Sequence, residues 1–240
     1  MFDENLKNIL AEGAKTFNLQ LDEVQLIQFL EYKNLLQSWN KKINLTAIED
    51  DKEIIIKHFI DSLSIYPFIK GKGSNLIDIG TGAGFPGIPV KLVCPEINVF
   101  LLDSLEKRIR FLDEVIKSLN LVGISTAHGR AEDYGNNPDF REKFDIAVAR
   151  AVASLPVLLE YSIPFVRPGG IFIAMKGSNL EELSDSRKAL ELLGAEVEEV
   201  NELFLPFNDS KRSIIIIRKL RHTPTKYPRK AGKPSKEPLL

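Results

Sequence analysis

Residues 75–92 read NLIDIGTGAGFPGIPVKL. An apolar run reaches an acid, Asp78, and four glycines, Gly80, Gly82, Gly84 and Gly87, then fall within eight residues. Glycine at that density marks a backbone that turns sharply and lets another group approach closely. A strand that ends in such a loop and opens a helix is the setting in which glycine motifs carry meaning. To either side, short apolar runs at 75–79, 98–103, 123–128, 144–149 and 170–175 read as strands. Helical patterns near 87–94, 106–119, 154–165 and 179–192 lie between them. Such alternation implies an α/β fold with a doubly wound, mostly parallel sheet. Two more strands, EVEEVNELFL (196–205) and SIIIIRK (213–219), sit close together and predict an antiparallel terminal hairpin, making seven strands in a Rossmann-like arrangement.

Upstream, Leu6, Ile9, Leu10 and Ala14, then Val24, Ile27, Phe29, Leu30, Leu35 and Leu36, recur at helical spacing, and Leu21-Asp22 offers an N-cap. The organisation expected is a helical cap over 1–66, an α/β domain over 67–220, and a tail over 221–240. That tail is rich in Pro and Lys and lacks periodicity, so it is expected to be extended, ordered only where it touches something.

A chain of 240 residues can bury one substantial core. The single cysteine, Cys94, excludes an internal disulfide and a Cys-rich metal site and suits a reducing compartment. His58, His128 and His222 are scattered, and no metal is expected. The first residues carry acids where a secretory signal would be basic, and no apolar run approaches membrane-spanning length. The protein is therefore read as cytoplasmic, with no membrane partner, and as a monomer. Net charge is −1, but residues 218–240 hold eight Lys/Arg and one Glu, which leaves −8 on the remainder. A basic arm on an acidic body fits a polyanionic partner or a merely solvated terminus.

The glycine loop admits two ligand readings and one structural one. From Gly82, G-A-G-F-P-G has dinucleotide-binding spacing, and Asp103 at the end of the second strand would take a ribose hydroxyl. From Asp78, D-I-G-T-G-A-G has the spacing of the first motif of S-adenosylmethionine-dependent methyltransferases. A carboxylate at the strand's end would repel a pyrophosphate but suit an ammonium and a sulfonium. Pro86 also removes an amide where an anion would want one. These details favour the methyl donor. The loop could also be a turn with no ligand.

The blocks DIGTGAGFPGIP, WNKKINLT (39–46), HFIDSL (58–63), LLDSLEKRIRFL (101–112), HGRAED (128–133), ARAVA (149–153) and MKG (175–177) resemble the bacterial ribosomal RNA small-subunit methyltransferase G family, also called glucose-inhibited division protein B. Ala149 stands where many members have serine. The resemblance implies a class I S-adenosylmethionine-dependent methyltransferase fold behind a helical N-terminal extension. It also implies methylation of N7 of one guanosine in 16S ribosomal RNA, with S-adenosylhomocysteine as product. The cofactor contacts it implies are Asp78, Gly80, Gly82, Gly84, Phe85, Asp103, Ala131, Glu132 and Arg150. Asp103 could instead cap the next helix, Glu132 could be a first-turn acid, and Phe85 could be core.

Guanine N7 has an in-plane lone pair and no proton, so displacement at a sulfonium methyl needs alignment and no general base. Arg150, Lys176 and Arg212 fall near strand ends and are read as the positioning residues. Arg130 and the tail's Lys226, Arg229, Lys230 and Lys233 are candidates for RNA contact. In the helical extension, Thr46 could shape the substrate mouth or cap a helix, and His58 could bond Asp61. The partner expected is small-subunit ribosomal RNA within the 30S subunit or a precursor, because little in the sequence looks dedicated to reading bases.

Overall fold

The computed structural model describes residues 3–178 and 180–240. Helices α1 (Glu4–Lys15), α2 (Glu23–Ile43) and α3 (Asp51–Ile54) lead into a π-helical turn (Ile55–Ile60), α4 (Asp61–Leu63) and α5 (Tyr66–Ile69). Strands and helices then alternate as β1 (Asn75–Ile79), α6 (Gly87–Val93), β2 (Asn98–Asp103), α7 (Glu106–Ser118), β3 (Ile124–His128), α8 (Ala131–Asn136), β4 (Phe144–Arg150), α9 (Leu155–Ser162) and β5 (Val166–Lys176). The chain continues through α10 (Glu182–Asp185), α11 (Arg187–Leu193), β6 (Ala195–Phe204), β7 (Lys211–Lys219) and α12 (Lys233–Lys236). The seven strands lie in the order β3-β2-β1-β4-β5-β7-β6, with β7 antiparallel to both its neighbours and the other pairs parallel. Among the described residues no helix is long and apolar enough to cross a membrane.

Alternation along each strand sorts side chains onto two faces. In β1, Leu76 joins a core with the N-terminal helices, α6 and α7, whereas Ile77 and Ile79 join one with α9 and α11. In β7, Ile214 and Ile216 go to the first core, Ile215 and Ile217 to the second. The N-terminal helices therefore share a core with the sheet. Helix α2 starts where Asp22 predicts, in a capping box with Gln25, and ends on Asn44 in the left-handed region (φ 48°).

Three local differences from expectation have physical causes. Strand β5 begins at Val166, four residues early, because a bulge between Phe144 and Ile146 lets Val166 pair with Phe144 ahead of the regular register. The helix expected over 179–192 breaks at Ser186, whose hydroxyl donates to the Glu182 carbonyl (2.6 Å). The short α8 lacked enough residues to show periodicity.

The largest correction concerns 221–240. These residues are not an extended arm but fold back across α8, α9 and α11. Thr223, Tyr227 and Pro234 are buried, and Arg141 donates to the carbonyls of Thr223 and Tyr227. Arg229 closes on Glu160 through its backbone amide (2.8 Å) and guanidinium (2.6 Å), and the Glu160 side chain is only 1% exposed. Periodicity could not show this, since the segment is fixed by prolines and side-chain bonds rather than a helical or strand ladder. Removing Arg229 would leave a buried carboxylate with its cation gone, a large penalty. We expect Arg229→Ala to lower the unfolding free energy in urea by about 3 kcal/mol, while the exposed neighbour change Lys230→Ala stays within about 0.5 kcal/mol of the parent.

Candidate active site

The glycine loop is held from below and from both sides. Period two puts Asp78 on the same face of β1 as Leu76, beneath α6. Its Oδ2 accepts from the Thr81 hydroxyl (2.7 Å) and the Gly87 amide (2.8 Å). Its Oδ1 finds no hydrogen-bond partner among the described residues, and burial pushes the carboxyl up to about 6. From the side, Asp103 Oδ2 accepts the Gly82 amide (2.9 Å), and from α2 the Tyr32 hydroxyl donates to the Ala83 carbonyl. Gly80, Gly82 and Gly84 all have positive φ (67°, 63° and 97°), which only glycine adopts without strain.

Three adjoining cavities run along the carboxyl ends of the strands. The first, about 340 Å³, is lined by Gly80, Asp103, Arg130, Ala131, Glu132 and Tyr161, among others. The second, about 420 Å³, shares Gly80 and Asp103 and adds Thr46, His58, Phe85, Arg108 and Arg150. The third, about 340 Å³, shares His58 and Arg150 and adds Asp61, Met175, Lys176 and Arg212. The trough thus begins among carboxylates and ends among cations.

Several expected residues take roles different from those anticipated. Asp78 and Gly84 lie outside all three cavities. Asp78 is a brace under the loop, and a Cβ on Gly84 would lie 2.6 Å from both Ile88 Cδ1 and Tyr32 Oη, so this glycine serves packing against α2. Asp103 does not cap α7, whose N-cap is Leu105; its Oδ1 accepts from the Leu105 amide (2.9 Å) just ahead of that helix, and the carboxylate borders two cavities. Glu132 likewise sits in the first turn of α8 and on the cavity wall. Phe85 is at once core, packed near Tyr32 and Phe59, and wall. One face of its ring stacks on His58 (centroids 4.6 Å, 14° between planes), and the Arg150 guanidinium lies 4.9 Å from its centroid.

Of the alternatives open for the helical extension, a His58–Asp61 bond is not the one adopted; the two residues do different work. His58 Nε2 pairs with the Thr46 hydroxyl (2.8 Å). Burial and the neighbouring Arg150 charge depress the imidazole to about 3, which keeps it neutral. Asp61 instead holds two guanidiniums, Arg150 Nη1 at 3.1 Å and Arg212 Nε at 3.0 Å. Sequence reasoning missed this hub because the three residues are 89 and 151 positions apart along the chain. Lys176 reaches the same cavity, bonded to Glu182 (2.8 Å) and the Ala153 carbonyl (2.9 Å). Thr46 does not cap a helix; Asp50 caps α3.

Of the candidates for RNA contact, Arg130 borders the first cavity, and Lys226, Lys230 and Lys233 are exposed on the surface. Arg229 is committed to Glu160 and is withdrawn from that set. Cys94 is buried, and burial pushes its thiol up to about 12, so it offers no thiolate nucleophile.

The chain matches the family described as rRNA small subunit methyltransferase G over residues 25–214. A ribosomal RNA small subunit methyltransferase G of Acetivibrio thermocellus is 64% identical over 98% of this chain and 97% of its own. One of Alkaliphilus oremlandii is 53% identical over 98% of this chain and 99% of its own. Among solved structures, a ribosomal protein L11 methylase from Lactobacillus delbrueckii subsp. bulgaricus superposes with a TM-score of 0.53 at 17% identity, covering 69% of this chain and 79% of that one. That likeness supports the class I methyltransferase fold.

The brace under the loop sets a pH dependence. The Asp78 carboxyl titrates near 6 when folded, against 3.8 for an ordinary aspartate. The folded chain therefore binds this proton more tightly than the unfolded one. Its contribution to stability is fully present below about pH 4 and is lost as pH rises through 6. Chemical denaturation of the parent and of Asp78→Asn from pH 4 to 7.5 checks this. The parent is expected to lose up to about 3 kcal/mol relative to the variant over that range, with the difference flat above pH 7.

Proposed function

Because the chain belongs to the rRNA small subunit methyltransferase G family, we propose that it transfers a methyl group from S-adenosylmethionine to N7 of one guanosine in 16S ribosomal RNA. The carrying observation is the trough itself, whose two ends suit the two reactants and meet at the Gly80–Phe85 loop. The first cavity fits a nucleoside. Gly80 has no side chain there, and a Cβ would fall 2.8 Å from Val152 Cγ2. Asp103 and Glu132 supply acceptors for hydroxyl and amino groups, and Ile79, Leu102, Ala131 and Val152 supply apolar wall. When bound there, the sulfonium supplies an electrophilic methyl group.

This chain's residues position and shield. Arg150 sits between the second and third cavities, held by Asp61 and by the ring of Phe85. Arg212 and Lys176 border the third cavity, where cations bind phosphates and orient the target nucleotide. A base must be unstacked to reach such a trough. No proton leaves N7, and the residues agree: His58 stays neutral and weakly basic, and no other imidazole borders the trough among the described residues. We read the substrate as the RNA within the 30S subunit or a precursor, and the enzyme as working in the cytoplasm.

Incubation of the protein with S-adenosylmethionine and 30S subunits, followed by mass spectrometry of the digested RNA, tests the assignment. One 7-methylguanosine is expected in 16S RNA, and a parallel reaction on naked 16S RNA is expected to be at least ten times slower. Methylation at another atom contradicts the first claim, and equal rates contradict the second. Asp61→Asn, which loosens both guanidiniums, is expected to lower kcat/KM for the ribosomal substrate by about 30-fold, roughly 2 kcal/mol of transition-state stabilisation. In the parent, log kcat is expected to be flat from pH 6.5 to 8.5, with no ascending limb of the kind a general base produces.

A further inference from the structure

The C-terminal segment reaches the trough at its nucleoside end. After β7 it bonds along α11, where the Thr223 hydroxyl donates to the Leu193 carbonyl (2.9 Å). It then crosses α8, where Asn136 donates to the Pro228 carbonyl (3.0 Å). Arg229 pins it to Glu160 on α9. Beyond that anchor the Gly232 amide, at a residue with φ +81°, donates to Glu132 Oε1 (2.8 Å). Ser235, whose hydroxyl donates to the Gly232 carbonyl (3.1 Å), then borders the first cavity together with Gly80, Asp103 and Tyr161. The neighbouring Pro234 is buried. Nothing in the segment's composition, which fits a polyanionic partner or a solvated terminus, anticipates a seat beside a nucleoside cavity.

We propose that residues 229–235 form the outer wall of the nucleoside cavity, Gly232 positioning the Glu132 carboxylate and Ser235 with Tyr161 closing over the adenosine end of the methyl donor. The inference rests on the assignment of that cavity to the donor. Glu132 is almost wholly buried, so its carboxylate needs fixed donors, and the Gly232 amide supplies one from a segment 100 residues away. With that oxygen occupied, the other is directed to an amino or hydroxyl group in the cavity. The segment then governs affinity for the donor, and its cations are secondary to that role. The anchors explain how a chain with little regular structure holds a cavity wall in place: the guanidinium–carboxylate pair is bidentate, Nε to Oε1 and Nη2 to Oε2, and mostly desolvated.

The test is steady-state kinetics of full-length Ser235→Trp on 30S subunits, with Asp103→Asn on the opposite wall as a companion. Ser235 is exposed, so the indole is accommodated without unfolding, which thermal denaturation checks. The expected result is a KM for S-adenosylmethionine raised at least tenfold, kcat at saturating donor within twofold, and KM for the subunit unchanged. Calorimetric titration with adenosine alone is expected to show the same loss, since the wall touches the nucleoside. A donor KM unchanged in Ser235→Trp while Asp103→Asn raises it overturns the inference and leaves the cavity assignment standing. A raised subunit KM with donor KM unchanged in Ser235→Trp also overturns it, in favour of RNA contact. Donor affinity unchanged in both variants overturns the cavity assignment and the inference together.

Discussion

A buried carboxylate under a glycine loop is the constraint from which the site follows. Asp78 is fully buried, and one of its oxygens is bonded to both ends of the loop, at Thr81 and at Gly87. Burial raises the cost of its charge, and the two donated hydrogen bonds offset part of that cost. The bonds set the span between β1 and α6, within which three residues in left-handed conformation must fit. Gly87 belongs to the same arrangement, because a Cβ there would meet Asp78 Oδ2 at 2.8 Å and Leu101 Cδ2 at 2.4 Å. The loop's shape is therefore determined from inside the protein, and its outer rim is left free to face a ligand.

That rim is built jointly by the sheet and the N-terminal helices. Tyr32 on α2 holds the loop from the far side, while the π-helical turn carries His58 against Phe85. A π-turn is a costly local geometry that recurs at functional sites, and here it presents a histidine and, just beyond it, Asp61 to the strand ends. At the end of β4, Arg150 is followed by Ala151 in a left-handed conformation (φ 55°). Strain of that kind in a residue bordering two cavities is characteristic of sites where backbone direction matters more than local stability. One acid, Asp61, then holds two guanidiniums, from the end of β4 and the start of β7, which lie on either side of β5. The single carboxylate fixes both side chains in place while leaving the cluster with an excess of positive charge.

Much of this was legible in the sequence for reasons that differ element by element. Strands β1 and β2 match their apolar runs because each is central, flanked by a turn signal and buried on both faces. Gly80, Phe85, Asp103, Ala131, Glu132 and Arg150 do converge on the trough, since a motif at a strand's carboxyl end is brought to the sheet's switch point by topology alone. Asp78 and Gly84 did not, and the reason is directional: period two turns Asp78 under α6, and Gly84 turns toward α2. Asp61's role was hidden because an ion-pair hub assembled across 151 positions leaves no local signature. The course of the terminal segment is not readable from charge composition, which reports what a chain could attract, whereas its fold is set by a few anchors such as Glu160 and Glu142.

The central claim is that the cavity between Gly80, Asp103 and Ala131 receives the nucleoside of the methyl donor. A crystal structure of the protein with S-adenosylhomocysteine tests it most directly. The account predicts density with the ribose against Asp103, the purine between Ala131 and Tyr161, and the sulfur directed past Gly80 toward Arg150. Density in the cleft of the N-terminal helices around Gln37, Asn40 and Glu49, with the Gly80–Asp103 cavity holding only solvent, would contradict it.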